Sequence, residues 1–266
     1  MPYSNNRLAG AWLRCVSPLK SLRQLPLLGN WLSRIGVRIV PRDTRMWMQI
    51  EKGAAAGIWM RLNPCTAHDL LRGAGEPEVQ DALHRYLRPG RTFYDIGANI
   101  GFFSLMAARL VGEHGHVIAF EADPEIASRL REHIQRNSFA HAETVEKVVW
   151  SQTSRVLFRR ADPRVSPDRG LGHVASASDA NTIEIEAITL DEFAQTAPAP
   201  DLIKCDVEGA EVEVFRGAQK LLAERRPVIV CEIHSEANRR AFVADLSRHN
   251  YVCQEGSPRQ LLALPQ

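Results

Sequence analysis

The sequence predicts an α/β protein built on a doubly wound, mostly parallel sheet, and three observations lead there. From residue 92 onward, short apolar runs alternate with segments of helical periodicity. A glycine-containing turn, Asp95-x-Gly97-x-Asn99-x-Gly101, joins the first of these runs to a helix. Acids then stand at the ends of the runs, at Asp95, Glu121, Asp206 and Glu232, where sheets of this kind bind their ligands.

Residues 1–40 are patchily apolar and broken by Pro18, Pro26, Gly29 and Gly36. Residues 1–50 carry eight Lys or Arg against the single acid Asp43, a balance of +7 within a chain of net charge +2. Two readings stay open: weak contact of short amphipathic helices with a membrane surface, or a helical lead-in whose cations are solvated. The stretch MWMQIEKGAAAGIWMRL suits two short strands around a Gly53–Gly57 loop. Together these make an N-terminal extension over residues 1–74, ahead of a main domain over 75–266.

In EPEVQDALHRYLRPG, Pro77 fits a first helical turn, Val79, Leu83, Tyr86 and Leu87 share a face, and Pro89-Gly90 ends the helix. TFYDIG (92–97) reads as a buried strand, followed by a helix over 101–111. HVIAFEA (116–122) is a second strand, and Pro124 opens a helix to about Asn137. TVEKVVW (144–150) is a third strand. Residues 151–188 form a β-rich insertion, with SPDRGLGHVASAS (166–178) as a candidate substrate loop. Thr189 to Glu192 has the spacing of a capping box. DLIKCDV (201–207) is a strand, VEGAEVEVFRGAQKLL one helix, and PVIVCEIH (227–234) a further strand.

Composition bounds the function. A chain of 266 residues, 45% hydrophobic and 24% charged, buries a full core, and its near-neutral net charge gives no argument for nucleic acid. No stretch approaches the ~20 apolar residues of a membrane-spanning helix. An uninterrupted apolar signal-peptide core is also missing, so a cytoplasmic location is expected. The five cysteines are odd in number and scattered, with no C-x-x-C pair. That fits a reducing compartment and predicts buried, inert thiols at Cys205 and Cys231.

The glycine turn decides the cofactor. A dinucleotide fingerprint spaces its glycines as G-x-G-x-x-G to approach a pyrophosphate; here Asn99 stands between Gly97 and Gly101. A carboxylate at Asp95 repels a diphosphate by several kcal/mol at an effective dielectric near 20. S-adenosylmethionine presents an ammonium and a sulfonium instead, which Asp95 attracts. Glu121 ends the second strand, where a carboxylate accepts ribose hydroxyls. The cofactor-binding candidates are Asp95, Gly97, Ala98, Asn99, Gly101, Phe102, Glu121, Ala122 and Asp123.

The runs DIGANIGFFSLMAARL, FEADPE, LIKCDVEGAEVEVFRGA and RPVIVCEIH, in this order and spacing, resemble the FkbM-type methyltransferases over about residues 75–234. The resemblance implies a Rossmann-like class I methyltransferase fold. It also implies S-adenosylmethionine as methyl donor and a hydroxyl of a sugar, polyketide or other small molecule as acceptor. By position, Asp206, Glu208 and Glu211 would form a signature facing the reaction centre.

Methyl transfer to an alcohol needs the nucleophile held in line and a base for its proton. The catalytic candidates are Asp206, Glu208, Glu232, His234 and Lys204. Lys204 shares strand-face parity with Asp206, and His234 is suited to proton transfer near neutral pH. Magnesium held by these acids is an open expectation without a motif behind it, so no metal ligand is assigned. Three rival functions stand beside this one. A nucleic-acid base methyltransferase lacks an aromatic beside Asp206 to stack a flipped base. A nicotinamide oxidoreductase is disfavoured by Asp95. A non-catalytic cofactor-binding protein is excluded only by an activity assay.

Overall fold

The computed structural model describes residues 44–64, 66–161, 171–257 and 259–266. The readings made for residues 1–40 and for the first part of the candidate substrate loop lie outside these residues. A seven-stranded sheet forms the centre, in the order β12-β13-β11-β10-β3-β4-β5. Its parallel strands are β3 (Thr92–Ile96), β4 (His116–Phe120), β5 (Ala142–Val145), β10 (Leu202–Cys205) and β11 (Val228–Glu232). The chain runs outward from β3 through β4 to β5, then returns to place β10 on the other side of β3. Strand order therefore reverses between β3 and β10, and a crevice opens there at the carboxyl ends.

Period-two alternation gives each strand two buried faces. Phe93, Val117, Ala119, Leu202 and Val230 pack on one side with α2 (Pro77–Tyr86), α3 (Phe102–Val111) and α4 (Pro124–Arg136). Tyr94, Ile118, Phe120, Ile203 and Ile229 face the other side, against Val214, Phe215, Leu221, Leu222, Phe242 and Leu246. Those six come from α6 (Glu211–Arg216), α7 (Gln219–Glu224) and α8 (Glu236–Arg248). Cys205 and Cys231 lie buried in this second layer as free thiols. No helix among the described residues is long and apolar enough to cross a membrane.

The hairpin of β1 (Met46–Gln49) and β2 (Trp59–Leu62) is antiparallel, with Met46 opposite Leu62. Ile50, Ile58, Met60 and Leu62 are buried in the same cluster as Leu83 and Val117. His133 of α4 and the Asn137 that caps its C-terminus stitch the hairpin down by replacing a strand partner. Asn137 accepts from Trp59 N at 2.8 Å and donates to Trp59 O at 2.8 Å. His133 accepts from Arg61 N at 2.9 Å through Nε2, and its Nδ1 donates to Ile100 O at 2.8 Å. A short helix α1 (His68–Leu71) follows the hairpin.

Three sequence expectations change. The run 144–150 is not one strand: β5 stops at Val145, and β6 (Val148–Val149) pairs in a second, four-stranded sheet. Its partners there are β7 (Ser154–Arg159), β8 (His173–Val174) and β9 (Thr182–Ile188). Apolar content is continuous across the break, but the partner changes from β4 for Val145 to β9 for Val148. The helix expected over 207–222 begins only at Glu211, because Glu208 and Gly209 take left-handed backbone at φ 52° and 103°. It also breaks at Gly217, where a Cβ would lie 2.2 Å from Trp150 O. Finally, α8, β12 (Tyr251–Glu255) and β13 (Gln260–Pro265) close the sheet with an antiparallel edge to which the sequence had assigned nothing. At α5 (Leu190–Phe193), Thr189 Oγ1 caps Glu192 N at 3.0 Å, while the Glu192 side chain bonds Thr153 instead of closing a reciprocal box.

Candidate active site

The crevice has two halves. The first is made by the turn after β3. Gly97, Asn99 and Gly101 take φ of 75°, 51° and 89°, a left-handed alternation that glycine and asparagine accept most readily. Gly97 has no alternative: a Cβ there would sit 1.8 Å from Asp206 O. Gly97 N and Ala98 N both bond Phe120 O, at 3.0 and 2.9 Å, which holds the turn against the end of β4. Glu121 accepts from Asn99 N and Asp123 N at 2.8 Å each, one bond per carboxylate oxygen. Burial pushes its carboxyl up to about 7 against the pull of those two amides.

Gly97, Asn99, Glu121, Ala122 and Asp123 line a cavity of about 350 Å³. Phe158, His173, Val174 and Ile183 of the second sheet also line it, as do Asp206 and Glu208. Asp123 caps α4 through Glu125 N at 2.9 Å and takes a two-pronged contact from Arg160 Nε and Nη2, at 2.8 and 2.9 Å. Arg160 so ties the second sheet to the cofactor loop, an interaction with no signal in the sequence. Ala98 and Phe102 are buried in the core beneath the turn, and Gly101 fits against Leu130, where a Cβ would lie 2.1 Å from Cδ1. Asp95 also departs from expectation. It is wholly buried, accepts from Ser104 Oγ at 2.6 Å, and faces Lys204 Nζ at 3.6 Å.

The second half is made of side chains from β10, β11 and the loops beyond them. Lys204 lies opposite Asp95 in the ladder, so its ammonium reaches Asp95, Gly97 O at 3.3 Å and Asp206 Oδ2 at 3.5 Å. Burial opposes its charge, but Asp206, Asp95 and Glu76 outweigh it and hold the lysine above its ordinary value. The expected Lys204–Asp206 pairing is present. Glu211 is not at the reaction centre but behind it, fully buried, accepting from Gly209 N, Asn238 Nδ2 and His234 Nδ1 at 2.8, 2.8 and 2.6 Å.

With Nδ1 held, His234 turns Nε2 toward Glu208 at 3.3 Å, Glu232 at 3.7 Å and Asp206 at 3.9 Å. Burial lowers the affinity of this imidazole for its proton, but Glu211, Glu208 and Asp206 together raise it above the usual histidine value. Asp206, Glu232 and His234 each present one ligand atom, all within 4.8 Å of one another, the set a divalent cation would use. An imidazolium among carboxylates accounts for the same grouping.

Two polar residues of this half went unread in the sequence. Gln260 stands opposite Glu232 in the β11–β13 pairing, and its Nε2 donates to Glu76 at 3.1 Å. Glu76 had looked like the start of a helix only.

A parallel sheet with a strand-order reversal, an acid-ended second strand and an alternating left-handed turn at the crevice make up a Rossmann-like fold of the class I methyltransferase type. The family model described as the methyltransferase FkbM domain matches residues 95–254, and the chain belongs to this family. Among curated proteins it is similar to an arsenite methyltransferase of Halobacterium salinarum, 28% identical over 143 residues, covering 52% of this chain and 35% of that one. It is also similar to the hexuronic acid methyltransferase AglP of Haloferax volcanii, 29% identical over 163 residues, covering 60% and 63%. The chain thus spans less than two thirds of the length of either relative. A solved FkbM methyltransferase of Methylobacillus flagellatus KT superposes with a TM-score of 0.49 at 18% identity, over 75% of this chain and 54% of that one.

Proposed function

We propose that this methyltransferase acts on a hydroxyl of a sugar or another small molecule, with Asp206 receiving the hydroxyl proton. The observation that carries this reading is the position of Asp206. Its carboxylate is 24% exposed at the mouth of the cavity that Glu121 lines, between Lys204 and His234. Transfer from a sulfonium is an in-line displacement: the acceptor oxygen forms a bond to the methyl carbon as the carbon–sulfur bond breaks. The oxygen becomes positive as it attacks, so an ionised carboxylate beside it stabilises that charge and takes the proton. Lys204 Nζ, 3.5 Å from Asp206 Oδ2, braces that carboxylate from the strand below. His234, oriented by Glu211, and the carboxylates of Glu232 and Glu208 supply hydrogen-bond partners for a polyhydroxylated acceptor.

The named activity of AglP, on a hexuronic acid, supports a glycan or sugar acceptor. Nucleic acid is not the proposed partner, since Asp206-Val207-Glu208-Gly209 offers no aromatic for a flipped base. Free thiols at Cys205, Cys231 and Cys253 fit a cytoplasmic site of action. The test is mass spectrometry of uronic acids, neutral sugars and polyketide alcohols after incubation with enzyme and S-adenosylmethionine, with and without chelator. A gain of one methyl on oxygen, lost in Asp206→Ala, is expected. Methylation confined to amine or thiol acceptors would overturn the reading.

A further inference from the structure

The second half of the crevice has more acceptors and negative charge than its own donors satisfy. Lys204 is its one buried cation among the described residues, and Asp95, Asp206, Glu232 and Glu76 all act on it or on one another. Two buried acceptor atoms here lack a hydrogen bond: Gln260 Oε1, and Asp95 Oδ1, whose one cation is Lys204 Nζ at 3.6 Å. Buried acceptors left this way are uncommon in folded proteins.

Glu76 is the member of this group brought from furthest away. It precedes α2 with φ 40° and ψ 75°, a left-handed conformation that a glutamate seldom takes. At the N-cap position it makes no capping bond; its carboxylate accepts from Gln260 Nε2 instead. The preceding loop is pinned by Gln80 Nε2, which donates to Gly73 O at 3.0 Å and to Gly75 O. Gly75 stands close to Phe102, the first residue of α3: a Cβ built there would be 3.7 Å from Phe102 Cε1. The backbone is held in a strained form that delivers one carboxylate to the crevice.

We propose that Glu76 is a cofactor-binding residue whose carboxylate completes the acidic lining that receives the positively charged methionine end of S-adenosylmethionine. This rests on the methyltransferase reading of the site. The methionine ammonium brings N–H donors to a region of unpartnered acceptors, and the sulfonium brings positive charge to a region of surplus carboxylates. Burial pushes the Glu76 carboxyl up to about 7; Lys204 works against that rise, while Asp206, Glu232 and Asp95 add to it. Without ligand, therefore, Glu76 titrates near neutral pH and is partly protonated at pH 7. A bound cation replaces that proton.

Calorimetric titration of the full chain with S-adenosylmethionine at pH 7, in phosphate and in Tris, counts the protons released on binding. Glu121, also near 7, contributes to that count in every variant that keeps it. Glu76→Gln is expected to lower the count by a fraction of a proton and to weaken binding about tenfold, with an unchanged melting temperature. Gln260→Leu keeps the carboxylate but removes its donor, and is expected to raise the count. A tightly binding Glu76→Gln enzyme with the parent's proton count overturns the role of Glu76 alone. An enzyme that binds neither S-adenosylmethionine nor S-adenosylhomocysteine overturns the methyltransferase reading, and this proposal with it.

Discussion

The two halves of the crevice are built from different materials. On the β3–β4 side, main-chain atoms do most of the work: Gly97 N and Ala98 N on Phe120 O, and Asn99 N and Asp123 N on Glu121. On the β10–β11 side, polar and charged side chains drawn from residues 76 to 260 meet across the ends of four strands. The first half is set by backbone geometry that tolerates little change. The second is an electrostatic assembly in which each member can be altered singly.

Variants on each side sharpen or break this contrast. The largest effect is expected from Asp206→Ala: methyl transfer falls about a thousandfold, the usual scale for losing a positioned base, while calorimetric cofactor affinity falls by about tenfold at most, the loss of one carboxylate from the acidic lining. If affinity falls in step with rate, the two halves are not separable. Gly97→Ala should strike both at once, because its Cβ would overlap Asp206 O at 1.8 Å. We expect about a hundredfold loss of cofactor affinity with a melting temperature several degrees lower, as for other steric changes at strained glycines. Glu211→Gln should leave cofactor binding unchanged and slow transfer about tenfold. The pH–rate profile should also shift, since His234 loses the anion that raises its proton affinity.

The smallest effect separates the halves by acid. Burial holds His133 down to about 4 while its unfolded value is 6.5, so the unfolded chain takes up a proton first. The full contribution of neutral His133 to stability is present above pH 6.5. It is lost as pH falls toward 4, by up to about 3 kcal/mol. Glu121 and Glu76, both pushed up to about 7, act in the opposite sense over this range, so the test is a difference. In urea unfolding at pH 7, 5.5 and 4.5 the native chain should lose stability relative to His133→Gln, which has no ring to protonate. A difference that does not change with pH counts against this buttress.

What the sequence revealed follows the same division. Asp95, Gly97, Asn99, Gly101 and Glu121 sit within a span of 27 residues, and local backbone demands mark them. The strands and the helices after β3 and β4 were legible for that reason. Yet Asp95 faces Lys204 rather than open cavity, and a partner 109 positions away in the chain leaves no local mark. Glu76, Gln260 and Arg160 were missed similarly: each is an ordinary polar residue in its own segment, given its place by the tertiary fold. Glu211 was noticed, but its fixed position behind His234 depends on left-handed backbone at Glu208 and Gly209 that the apolar pattern concealed.

The second sheet shares no strand with the first; it leaves at Val145, rejoins through α5, and grips the cofactor loop by the Arg160 fork on Asp123. The fork is an ionic clasp between the second sheet and the N-terminus of α4, and with the Arg160 side chain 36% exposed, added salt weakens its grip.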